Sequence, residues 1–155
     1  MIQHILVAVD GSPFSFRAAK LGAKIMHRNV TGTLTLLYIT KTQADLEWFK
    51  GPGTSLEKVP ADERRALEEA FKKGQDILKE AQVTCQALLK GEAVRLETVV
   101  VFGDPAQQII ETAEKKHSEI ILMGSRGMGT IKGALLGSVS QKVLNNTKCP
   151  VLIVK

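Results

Sequence analysis

The chain has 155 residues, 44% hydrophobic and 24% charged, which is ordinary globular usage, long enough for one cored domain and unlike a disordered chain. Its 21 basic and 16 acidic residues leave a net charge of +5, scattered as pairs such as Lys72-Lys73 and Lys115-Lys116 rather than gathered in a run. That scatter argues against nucleic-acid binding, which needs a clustered basic footprint, and favours a basic protein that attracts a small anionic ligand. Met1-Ile2-Gln3-His4 leads straight into strand sequence, so no signal peptide is expected. No apolar stretch approaches the length of a membrane span, and a soluble, cytoplasmic protein is expected.

Ile5-Leu6-Val7-Ala8-Val9 is a continuous apolar run, the pattern of a strand covered on both faces. It ends at Asp10-Gly11-Ser12-Pro13, where Ser12 can cap a helix whose first residue is Pro13. Phe14, Ala18, Leu21 and Ile25 follow at helical spacing, and Thr33 to Ile39 reads as a second strand. From residue 41 to 59 the pattern dissolves into a loop, with Gly51-Pro52-Gly53 as turn composition and Trp48 as an isolated aromatic residue.

Pro60-Ala61-Asp62-Glu63 begins a long helix whose inner face is Leu67, Phe71, Gly74, Leu78, Ala81, Cys85 and Leu88, with Gly91 as its stop. Leu96 to Val101 is a third strand. Gly103-Asp104-Pro105-Ala106 turns into a helix carrying Ile109, Ile110 and Ala113. Glu119 to Met123 is a fourth strand, and Pro150 to Val154 closes the chain as a fifth. Cys85 and Cys149 have no short metal or redox spacing and read as core or half-buried residues. His4, His27 and His117 lie far apart and are assigned no chemistry.

Strands alternating with helices predict a single α/β domain over 1–155, built on an open five-stranded parallel sheet with helices on both faces. The loops that follow the strands, at Asp10, Ile39, Gly103 and Gly124, then share one edge, where open α/β sheets bind ligands. One of those loops has a glycine spacing that chance rarely produces. Met123-Gly124-Ser125-Arg126-Gly127 is followed, nine residues on, by Gly137-Ser138, and a helix opens there through Val139 and Ser140. Glycines let a backbone turn sharply and approach a ligand, and a helix start presents unpaired N–H groups to an anion. Strand, glycine loop, serine and helix start together describe a phosphate cradle. A Walker loop needs Gly-x4-Gly-Lys-Ser/Thr, which is absent, and a dinucleotide fingerprint would stand after the first strand.

The pattern Gly-x2-Gly-x9-Gly-Ser, carried by Gly124, Gly127, Gly137 and Ser138, resembles the signature of the universal stress protein family, in its ATP-binding branch. The opening Ile5 to Ser12, the turn Phe102-Gly103-Asp104-Pro105-Ala106 and the close Cys149 to Val154 are similar to that family too, so the resemblance spans nearly the whole chain. It implies a Rossmann-like, adenine nucleotide-binding fold and ATP as ligand, with Mg2+ or Mn2+ carried by the phosphates. Asp10, in the turn with Gly11 and Ser12, then faces adenosine and phosphates, where its carboxylate either accepts from a ribose hydroxyl or helps to hold the cation. The main chain of Ile39 reads the adenine edge and Met123 packs on the adenosine. Gly124 and Gly127 admit ribose and phosphates. Gly137, Ser138, Val139 and Ser140 present amides and hydroxyls, and Arg126 reaches the phosphate tail as a forked donor. Lys132 adds charge nearby.

The same resemblance implies a homodimer paired through the last strand, which as an apolar edge needs a cover. It implies a regulatory or stress-tolerance module. The rival reading is an enzyme, a slow ATPase or a nucleotide-dependent phosphotransferase, which the lack of an evident base and of a Walker lysine disfavours. A third reading is an interaction module whose nucleotide is incidental.

Overall fold

A computed structural model describes residues 1–27, 31–41, 59–129 and 136–155. The expected loop over 41–59, with Trp48, falls almost wholly outside the described residues, as does Lys132. In chain order the elements are β1 (His4–Ala8), α1 (Pro13–Met26), β2 (Gly32–Thr40), α2 (Ala61–Leu88), β3 (Val94–Phe102), α3 (Pro105–Lys115), β4 (Ile120–Gly124), α4 (Ser138–Asn146) and β5 (Val151–Val154). The strands form one open parallel sheet in the order β3-β2-β1-β4-β5.

The apolar run of β1 is explained by its central place, with Ile5 opposite Leu34 of β2 on one side and Ile120 of β4 on the other. Ile5, Leu6 and Val7 are all fully buried, and alternate side chains enter opposite cores. Ile5, Val7, Leu34 and Leu36 pack with Ala18, Ala19 and Ala23 of α1 and Leu78, Ala81 and Cys85 of α2. Leu6, Leu37, Ile121 and Met123 pack on the other face with Ile109 and Ala113 of α3 and Val143 of α4. Helices therefore cover both faces of the sheet, two on each.

Local chemistry sets the helix ends. Ser12 caps α1 by accepting from the Ser15 amide at 3.1 Å, with Pro13 in the first position. Asp104 caps α3 in the same way, its Oδ1 accepting from the Gln107 amide at 3.0 Å. Gly91, at φ +88°, turns the chain after α2 in a conformation that side chains disfavour. The inner face of α2 is as expected except at Phe71, which is 36% exposed and stacks instead on Phe102 of β3. The fifth strand starts one residue later than expected, at Val151, because Pro150 has no N–H to give a ladder; its carbonyl still accepts from Ile121.

Candidate functional site at the carboxyl edge

From β1 the chain runs outward through β2 and β3 on one side and through β4 and β5 on the other, so the order reverses between β1 and β4. Two of the sequence features flank that point: the Asp10-Gly11-Ser12 turn after β1 and the glycine loop after β4. The turn is tightly bonded. Asp10 Oδ1 accepts from the Ser12 amide at 2.9 Å, and the Asp10 amide donates to Ser15 Oγ at 3.2 Å. Ser15 Oγ in turn donates to the Ser12 carbonyl at 2.9 Å. Gly11 needs its φ of +88° to turn the chain here, and Ile77 of α2 lies where a side chain would begin.

The two loops touch directly. Ser12 Oγ reaches the Arg126 carbonyl at 3.4 Å, and a Cβ on Gly127 would stand 2.7 Å from Asp10 Oδ2. Gly127 thus leaves the Asp10 carboxylate its place between the loops. Gly124 is a glycine for a different reason: a Cβ there would stand 2.7 Å from Phe14 Cβ and 3.0 Å from the Ser15 amide nitrogen. The start of α1 fills the space beside Gly124, so its missing side chain serves packing. Ser125 ties the region together, donating its amide to Val154 of β5 and accepting from the Gly137 amide, both at 2.8 Å. The two ends of the glycine loop are thereby clipped to each other.

Gly137 is the N-cap of α4, and no side chain among the described residues caps that helix. Its first turn, Ser138, Val139 and Ser140, points amides toward the loop with the positive end of the helix dipole. Ser138 is exposed and Val139 half-buried. The Ser140 hydroxyl is buried and donates to the Gly124 carbonyl at 3.0 Å, so its proton holds the loop and only its amide faces outward. Arg126 is half-buried beside Gly127, and Met123 is buried in the core on the α3 and α4 face.

On β2, the Leu37 carbonyl accepts from the Val9 amide at 2.8 Å, which places the main-chain groups of alternate residues toward β1. Ile39, two residues on, turns its N–H and C=O to the same side, past the point where β1 gives way to the Asp10 turn. Thr40 faces the other way, and its carbonyl accepts from Gly103 at 3.0 Å. The Gly103 turn thus joins the edge from beyond β2. Among the described residues no three His, Cys, Asp or Glu side chains gather. Asp10 can give a divalent cation one oxygen, and the other ligands would come from phosphate and water. Two surface clefts lie elsewhere, one of about 310 Å³ between α3 and α4 and one of about 530 Å³ at the amino edge of the sheet.

Ser15, Ser125 and Tyr38 do not stand out in the sequence, yet the structure places them in this region. Ser15 follows its cap by three residues and Ser125 sits inside the glycine quartet, which are the only signals either offers. Tyr38, near the end of β2, has its phenol ionisation pushed up by burial and then by the Asp10 charge.

The profile of the universal stress protein family matches residues 1–155. The universal stress protein YxiE of Bacillus subtilis is 35% identical over 162 residues, covering all of both chains. Among solved structures, the protein MJ0577 of Methanocaldococcus jannaschii superposes with a TM-score of 0.81 at 22% identity, over 100% of this chain and 96% of that one. A universal stress protein in complex with cAMP superposes with a TM-score of 0.65 at 26% identity, over 99% and 97%. A switch point flanked by an aspartate turn and a clipped glycine loop, in a chain matched from end to end, has one reading: this chain belongs to the universal stress protein family.

Proposed function

We propose that the chain is an ATP-binding, homodimeric stress-response module that works by binding its nucleotide rather than by turning it over. The observation that carries this reading is the start of α4 beside the clipped glycine loop, a row of amides that no side chain among the described residues caps. The adenine would lie against the open rung at Ile39 and beside Met123. The ribose would face Asp10, and the phosphates would take Gly127, the amides of Ser138, Val139 and Ser140, and the Arg126 fork. A bound Mg2+ or Mn2+ would neutralise phosphate charge, with Asp10 as its one protein carboxylate. Support comes from the relative of similar fold that holds cAMP.

Mass spectrometry of the nucleotide that co-purifies with the protein, followed by calorimetry with ATP, tests the reading. An adenine nucleotide in the purified protein and saturable ATP binding are expected. Absence of both overturns it. Turnover near the ordinary enzyme median of about 10 per second, lost in Asp10→Ala, would favour the enzyme reading instead.

A further inference from the structure

Tyr38 is held more firmly than a half-buried aromatic residue at a strand end needs to be. Its ring packs on the α1 and α2 core, and α2 meets it with Gly74. A Cβ on Gly74 would stand 2.5 Å from Tyr38 Cδ1 and 2.9 Å from Cε1, so only glycine in that turn of α2 leaves room for the ring. Ile77, one turn on, packs against Gly11, beside Asp10 in the chain. The same stretch of α2 therefore braces both Tyr38 and the Asp10 turn.

The hydroxyl of this fixed ring makes no hydrogen bond among the described residues, and it stands within the field of the Asp10 carboxylate. The phenol is protonated at neutral pH, and burial and that field raise its ionisation further, so it can donate to an anionic or hydroxylic neighbour. Asp10 Oδ1 is taken by the Ser12 amide, and Oδ2 lies in the groove against Gly127. The donor stands near the end of β2 and the acceptor in the turn after the adjacent β1, both braced by the same stretch of α2. A vicinal diol is the chemical complement of such a pair, one hydroxyl accepting and the other donating.

We propose that Tyr38 is a further ligand-binding residue, its phenol donating to one ribose hydroxyl while Asp10 accepts from the neighbouring one, so that the site prefers ribonucleotides to deoxyribonucleotides. This rests on the nucleotide reading above and names the sugar that the site selects. The test is calorimetry of the wild-type protein and of Tyr38→Phe with ATP, 2′-deoxy-ATP and 3′-deoxy-ATP. Tyr38→Phe keeps the ring that Gly74 accommodates, and its melting curve checks that the fold is intact. The wild type should prefer ATP to at least one deoxy analogue by about 3- to 10-fold, the size of one hydrogen bond, and Tyr38→Phe should abolish that preference. Tyr38 is the one tyrosine of the chain, so its 13Cζ signal in labelled protein should move when ATP is added. ATP bound with unchanged ratios in the variant, or a stationary 13Cζ signal at saturation, overturns the Tyr38 assignment alone. A wild-type protein that binds no ATP overturns it together with the nucleotide reading.

Discussion

The glycines of the loop answer to different neighbours, and substitution should separate them. At Gly124 a methyl group meets the first turn of α1, so Gly124→Ala should cost about 1–3 kcal/mol of stability, read as a lower midpoint in thermal or urea unfolding. At Gly137 a Cβ would stand no closer than 3.5 Å to any described residue beyond its two chain neighbours, which is ordinary contact. Gly137→Val should keep the circular dichroism spectrum and melting curve of the wild type while losing ATP binding in calorimetry. Gly127→Val should do the same by pushing the Asp10 carboxylate out of place. ATP binding retained in both valine variants would remove these residues from the site. Burial pushes the Cys85 thiol up to about 11 and also raises Cys149. For Cys85 the folded value lies above the unfolded one, so its contribution is whole below the unfolded thiol range and is lost as pH rises through that range toward about 11. Chemical unfolding at rising alkaline pH should show this loss, and it should shrink in Cys85→Ala once that variant's own cavity cost is subtracted.

Among the elements, α3 depends on a single cap. Asp104→Ala should lower stability by about 1 kcal/mol, measurable in urea, because the Gln107 amide loses its acceptor. Features of this kind are legible in sequence, since Ser12-Pro13 and Asp104-Pro105 each place a side-chain acceptor and a preset φ at a helix start. The strands were legible because a parallel sheet covered on both faces leaves continuous apolar runs, as at Ile5 to Val9. The glycine spacing likewise pointed to the loop after β4. What the chain does not display is who fills the space beside each glycine. Gly124 and Gly127 look alike in a motif, yet one is set by Phe14, more than a hundred positions earlier, and the other by a carboxylate. Tyr38 carries no signal of its own because its place depends on Gly74 of a distant helix. The outward turn of Phe71 follows from its ring partner on β3, which helical periodicity alone does not foretell.

At the scale of the whole molecule, Lys116 joins the end of α3 to the edge strand β3 through a 2.6 Å bond to Glu97. That bond holds the Glu97 carboxyl below its usual range. Its contribution is present above the unfolded carboxylate range and is lost as pH falls through the folded value. Lys116→Gln should therefore lower stability at neutral pH, and the deficit should vanish at acid pH below the folded value, so that the acid limb of the profile flattens. At the opposite edge, β5 pairs with β4 on one side and with no strand of the described residues on the other, and Leu152 is 37% exposed on it. Two copies pairing along this strand would close both edges at once. Proline at Leu152 or Ile153 should then shift the protein toward monomer in sedimentation, and a wild type that sediments as a monomer at micromolar concentration would exclude the dimer. The bond from the Ser125 amide to Val154 gives this edge another meaning. One hydrogen bond joins the strand that would meet a second copy to the loop that would meet a ligand. Any preference of the ligand for the paired form must then be returned in equal measure, association tightening ligand binding by the same factor that ligand tightens association. Cells could thus read the level of a metabolite as a count of dimers, and sedimentation with and without ATP would measure that exchange rate.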